Sequence, residues 1–238
     1  MNKEIFFTFD MDWASDMVLT DFHELLNELG VCSTVHVTHE TPMLDEFRKD
    51  ENMDLGLHPN YNPLLLEGSA KSAHQVLREI KAIVPEGVSL RSHALTAGSV
   101  IAREYENFGI KYELNTFIPV KEGSVIFPYQ APIGKHMVLP FIFEDDLYLI
   151  RKNGTVDFLL GDAFTAPRIF NFHPIHLFLN TDTTETYERA RPYFKDDENL
   201  IKMRNEKSYG MRDMFIELAE TSRKMGYVSR KIKDGDWN

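Results

Sequence analysis

The chain has 238 residues, 43% of them hydrophobic and 26% charged, a profile of a soluble globular protein with length for a sizeable core in a single domain spanning 1–238. Its net charge of −11 argues against nucleic acid or an anionic membrane surface as the main partner, because both attract basic proteins. No run approaches roughly 18 uninterrupted apolar residues, no signal-peptide pattern opens the chain, and the lone Cys32 excludes an internal disulfide, so a cytoplasmic location without a membrane span is expected. Cys32 itself reads as a small core residue.

Residues 3–9 are aromatic and β-branched, the composition of a buried strand, and they run into Asp10-Met11-Asp12. Val18, Phe22, Leu25 and Leu29 recur at helical spacing and Gly30 stops them. A second strand is expected over 31–37, then a short helix capped by Thr41 with Pro42 at its first position. A third strand over 53–57 runs into His58, and Val76, Leu77, Ile80, Ile83 and Val84 mark a helix begun by Ser72. Residues 88–91 and 110–114 read as fourth and fifth strands, with a helix carrying Val100, Ile101, Tyr105 and Phe108 between them. This alternation with short connections predicts parallel strands joined by right-handed crossovers. From 117 to 173 the rhythm breaks, and apolar runs at 124–127, 137–143, 147–150 and 156–160 read as β-hairpin insertions. A buried strand over 168–173 and two helices, near 183–191 and 208–225, complete an α/β barrel-like chain.

The polar chemistry gathers at strand ends. Asp10 and Asp12 follow the first strand, His39 the second, His58 the third, Arg91 and His93 the fourth, and His173 a late one. In parallel α/β barrels these ends share one rim, so residues distant in sequence are expected to face one another there. At i and i+2 of an extended chain, Asp10 and Asp12 would point to one face and repel unless a cation lay between them; as cap residues of the following helix they would need none. Taken together, the strand ends point to a metal-assisted hydrolytic site. His58 and Asn62 stand one helical turn apart, although Pro63 disfavours a helix at Asn62, and Asn60 and Asn62 could instead bond their own backbone. Pro174 should hold His173 extended, where it could donate a proton, while His176 lines the same pocket or is exposed. Glu144-Asp145-Asp146 reads as a solvated turn. His23, His74 and His136 have no companions in the sequence and read as structural or surface residues, and His36 reads as buried.

With those residues in place, the chain resembles the NodB-homology polysaccharide deacetylases, carbohydrate esterase family 4, and within them the divergent WbmS-like branch. The resemblance covers roughly 3–180 and rests on the order of short motifs. Thr8-Phe9-Asp10-Met11-Asp12 is similar to the family's opening motif, which implies Asp10 as general base and Asp12 as metal ligand. His58 matches the first histidine of the second motif, with Asn62 where the second histidine belongs; His93 is the replacement third ligand we expect beside it. Arg91 matches the arginine that orients the base, and Phe170-Asn171-Phe172-His173 matches the motif of the acid histidine. The resemblance implies a distorted (β/α)-barrel of the NodB-homology type with about seven parallel strands, and metal-dependent removal of an N- or O-linked acetyl group from a sugar or polysaccharide precursor. Mixed oxygen and nitrogen ligands suit zinc, with cobalt, manganese or iron as alternatives. Two rivals are a hydrolase of another amide bond, such as a ureide or formamide, and a non-catalytic saccharide-binding homologue.

Overall fold

The computed structural model describes residues 3–65, 71–152 and 154–237. Its first half follows the predicted alternation: β1 (Glu4–Asp10), α1 (Asp16–Leu29), β2 (Ser33–Val37), α2 (Met43–Lys49), β3 (Met53–Leu57), α3 (Ala73–Ile83), β4 (Ser89–Leu90), α4 (Ser99–Tyr105) and β5 (Tyr112–Glu113). Then come the short strands β6 (Tyr129–Gln130), β7 (Met137–Val138) and β8 (Phe143–Glu144), the helices α5 (Asp145–Arg151) and α6 (Val156–Leu160), and β9 (Ile169–Phe172). The last elements are α7 (Pro174–Leu179), α8 (Thr184–Ala190), α9 (Asp197–Ile201), α10 (Met211–Lys224) and β10 (Val228–Ser229). The strands form one sheet in the order β6-β7-β5-β4-β3-β2-β1-β9-β8, with β10 beside β1. Every adjacent pair is parallel except β6 with β7, so the sheet is a curled, partly closed barrel of the NodB type.

Strand alternation decides what faces inward. On β1, Ile5, Phe7 and Phe9 join the large core under the helices, while Phe6 packs in a second apolar cluster with Leu114, Leu139, Phe141 and Ile169. Thr8 and Asp10 therefore share the concave face with Phe6. The same parity puts Thr34 and His36 of β2, Asp54 and Gly56 of β3, and Asn171 of β9 on that face, because their neighbours Val35, Val37, Leu55, Leu57, Phe170 and Phe172 all belong to the outer core. On the outside, Phe215 of α10 meets Phe7, Phe9 and Phe172 edge-on at 5.2–5.5 Å. Each such buried ring contributes roughly 2–3 kcal/mol through burial. At the other end of the barrel the segment after β10 forms a floor: Ile232 donates its N–H to Thr34 Oγ1 at 2.9 Å, and Trp237 packs on Phe6 at 4.5 Å. This floor carries its own ion pair, Lys233 with the buried Asp54, while the Asp and His residues at the strand ends gather at the opposite rim.

The irregular region differs from expectation. Among the described residues only β6 and β7 make an antiparallel pair; the runs at 147–150 and 156–160 are the helices α5 and α6. Four or five apolar residues fit either period, and the signal that decides is the cap: Thr155 accepts the Phe158 N–H at 3.3 Å, and Glu144-Asp145-Asp146 supplies acid to the first turn of α5. The chain also ends in four helices rather than two, α7 and α9 being the additions. Cys32 lies partly exposed just before β2, with its thiol 3.6 Å from Asn52 Oδ1.

Candidate active site

Asp10, the last residue of β1, is buried in a polar box. Arg91, wholly buried after β4, donates Nη1–H to Asp10 Oδ1 at 3.2 Å and to Thr8 Oγ1 at 2.9 Å, and also to Asn171 Oδ1. Asn171 gives its amide N–H to Asp10 Oδ2 at 2.9 Å, and His36 Nδ1 lies 3.3 Å from Asp10 Oδ1. Burial works against the Asp10 charge, but Arg91, His58 and His36 outweigh it and hold the carboxyl well below the usual range. Burial, with Arg91 beside it, pushes His36 down to about 4 despite the Asp10 carboxylate. The His36 ring fits because Gly56 stands opposite it in register: a Cβ at Gly56 would lie 2.5 Å from His36 Cδ2.

The turn after β1 is left-handed at Asp12 (φ 39°) and Trp13 (φ 56°), which departs from the extended geometry expected for Asp12. It nevertheless directs Asp12 onto the rim. Asp12 Oδ1 lies 3.1 Å from His58 Nε2 and 3.0 Å from His93 Nδ1. Burial opposes the Asp12 charge, yet His58, His93 and His173 keep its pKa far down. The Asp12 carboxylate in turn raises the pKa of His93. The groups of Asn62 bond its own loop and the Thr96 side chain: its Oδ1 accepts the Thr96 hydroxyl at 2.7 Å, and its N–H goes to Asn60 Oδ1 at 3.0 Å. His39 bonds its neighbour Thr38 instead, at 2.9 Å.

On the far wall His173 is extended (φ −113°, ψ 131°) and caps α7, whose first residue is Pro174. Its Nδ1 and its backbone N–H both meet Asp145, each at 2.7 Å, leaving Nε2 directed toward the rim, 3.7 Å from Asp12 Oδ2. Burial disfavours a charged His173, but Asp145, Asp146 and Asp12 prevail and raise its pKa well above the ordinary value. His176 borders the cleft with both ring nitrogens engaged, Nε2 with Asp146 at 2.7 Å and Nδ1 with Thr181 at 3.0 Å. The acids 144–146 are therefore not a solvated turn. Asp145 is fully buried, and burial pushes Glu144 up to about 7. His23, His74 and His136 do have companions, Asp50, Glu104 and Glu113.

Among the described residues, Asp12, His58 and His93 bring ligand atoms within 4.8 Å of one another, as do Asp145, Asp146, His173 and His176, and Asp10, Glu144 and His173. The first set is the one short of partners. Both ring nitrogens of His58 are buried without a directed hydrogen bond, although carboxylate oxygens lie nearby. One carboxylate and two imidazoles, one of them orphaned, form a donor set that fits a divalent cation such as zinc. In the second set each ring already has a carboxylate of its own. A cleft lined by Asp12, Trp13, His93, His173, Tyr187 and Arg191 opens over these groups.

Sequence reasoning missed Asp145, Asp146, Glu144, His36 and Asn171 as parts of the site. A signal existed for one of them: Asn171 and His173, like Thr8 and Asp10, are a polar pair at i, i+2 in an otherwise aromatic strand, and one face had to carry both.

Comparison with known proteins places this geometry. Residues 7–191 match the family model described as WbmS-like polysaccharide deacetylase, and the chain belongs to that family. Among solved structures it is similar to WbmS of Bordetella bronchiseptica, described as a polysaccharide deacetylase involved in O-antigen biosynthesis, with 32% identity and a TM-score of 0.86 over 93% of this chain and 91% of that one. The fold alone is shared with a family 4 carbohydrate esterase from Streptomyces lividans, at 13% identity and a TM-score of 0.50 over 96% of this chain and 92% of that one. It is shared too with part of the 4-alpha-glucanotransferase of Thermococcus litoralis, at 11% identity and a TM-score of 0.53 over 98% of this chain and 38% of that one. No curated protein matches the chain in sequence. Family membership makes the chain a carbohydrate deacetylase. No helix among the described residues is long and apolar enough to cross a membrane.

Proposed function

We propose that the protein hydrolyses an N- or O-linked acetyl group of a sugar or polysaccharide precursor, using Asp10 as base, His173 as acid and a divalent metal held by Asp12, His58 and His93. The observation that carries this reading is the placement of two oppositely charged groups around the orphaned His58: a carboxylate kept ionised by Arg91 and an imidazole kept protonated by Asp145. Asp12, His58 and His93 would hold a divalent ion, which when bound would polarise the acetyl carbonyl and lower the pKa of a water from 15.7 toward about 7. Asp10 removes the proton of the attacking water, and Arg91 and Asn171 fix which oxygen it presents. The water oxygen bonds to the acetyl carbon, the bond from carbon to the sugar nitrogen or oxygen breaks, and the His173 Nε2 proton passes to the departing atom. Trp13, 45% exposed at the cleft, offers a face for a sugar ring.

Elemental analysis and turnover measured together test the assignment. Asp10→Asn should keep about one equivalent of zinc after dialysis while kcat drops by roughly 10²–10⁴. Asp12→Ala and His93→Ala should lose the metal, and Asn62→Ala should retain it. Near-full activity in Asp10→Asn, or loss of metal on changing Asn62 alone, sinks the scheme.

A further inference from the structure

Glu144 has no part in that mechanism, yet it stands inside it. It ends β8 opposite Asn171 in register, so its side chain reaches the rim between the two groups that move protons. Its carboxyl, a ligand atom of Asp10 and a ring nitrogen of His173 all lie within 4.8 Å of one another. Among the described residues none hydrogen-bonds or ion-pairs with this carboxyl, although each neighbouring acid has a partner. Glu144 also lines a largely apolar cavity with Phe117, Ile142, Leu147, Phe158 and Arg151, and burial weakens its acidity. The residue is only partly buried, so this acceptor is open to a donor that a bound substrate brings.

Position limits what that donor can be. The attacked carbon must lie within reach of the water that Asp10 deprotonates, and the leaving atom within reach of His173 Nε2. A group close to both Asp10 and His173 is therefore next to the leaving atom. An acetamido nitrogen carries an N–H there, whereas the alkoxy oxygen of an acetyl ester carries only lone pairs.

We propose that Glu144 is a specificity-determining residue that accepts the acetamido N–H of the substrate and so selects N-acetyl over O-acetyl sugars. The inference rests on the hydrolase reading above and narrows its substrate class. A site built to bond an N–H rejects the analogue lacking it, because the site's own polar group is then stranded.

The test compares wild type, Glu144→Gln and Glu144→Ala on methyl 2-acetamido-2-deoxyglucoside and methyl 2-O-acetylglucoside. Glutamine keeps an acceptor oxygen and should hold kcat/KM for the amide within about threefold, while alanine loses about tenfold or more on the amide and little on the ester. Equal losses on both substrates would mean a structural role and overturn the proposal, as would no loss on either. A second readout needs no turnover: NMR titration of the Asp10→Asn protein with N-methylacetamide and methyl acetate. Tighter binding of the amide, abolished by adding Glu144→Ala but kept with Glu144→Gln, supports the proposal even if no sugar is turned over, an outcome that counts against the hydrolase reading alone. Equal affinities, or no binding of either probe, overturn it.

Discussion

The two walls of the site solve opposite electrostatic problems with the same means. On one wall a buried carboxylate, Asp10, is kept charged by Arg91, His36 and Asn171; on the other a buried imidazole, His173, is kept charged by Asp145 and Asp146. Burial disfavours both charges, and the shells behind them offset it, so an anion and a cation stand a few ångströms apart as the proposed base and acid. The shells differ in origin. Most of the Asp10 shell comes from regular parallel strands, whereas Asp145 and Asp146 come from the first turn of a short helix in the irregular stretch.

The contrast breaks most sharply at Asp145. Asp145→Asn preserves shape but removes the charge facing His173 Nδ1, and kcat on an acetylated saccharide should fall by roughly 10²–10⁴ with the unfolding midpoint little changed. A variant with wild-type kcat would show that the second wall does not depend on its carboxylate.

On the first wall the expected effect is on stability and carries a sign. His36 has a folded pKa of about 4, below its ordinary 6.5, so the folded protein resists a proton that the unfolded chain accepts. Its contribution is full above about pH 6.5 and is lost as pH falls toward 4, an amount of about 3 kcal/mol. Urea unfolding across that window should show a flatter acid limb in His36→Gln than in wild type; parallel slopes would refute the assignment. Smallest is the effect of Gly56→Ala, whose new methyl meets His36 and Ser89 and should cost about 1–3 kcal/mol, read as a lowered urea midpoint.

What could be read in advance follows the same division. Strand parity and helical spacing are strong signals where elements are long, so β1, β2, β3 and α1 emerged from the sequence, and with them Asp10, Asp12, His58, Arg91, His93 and His173 as rim residues. The stretch from 117 to 165 carries runs of four or five apolar residues that fit a strand or a helix equally well, and α5 and α6 were read as strands for that reason. The same ambiguity extends to the acids 144–146: they look solvated as a turn, but once they begin a helix Asp145 is internal against His173, Glu144 is half-buried, and exposed Asp146 bonds His176. Asn62 shows another limit: Pro63 argues against a helical turn there, a short 3-10 turn forms instead, and the Asn62 Oδ1 accepts the Thr96 hydroxyl, a contact no sequence spacing signals.

The polar box around Asp10 is assembled from remote parts of the chain. Arg91 is 81 positions from Asp10, and Asn171 is 161 positions away. Contacts of such separation are the slow ones in folding, since large loops must close before they form. Local helices can therefore arise early in a chain that is still chemically inert, and the reactive carboxylate acquires its charge-holding partners only when distant strands have docked. The charge of Asp10 is thus a property of the assembled sheet and not of any local stretch of chain.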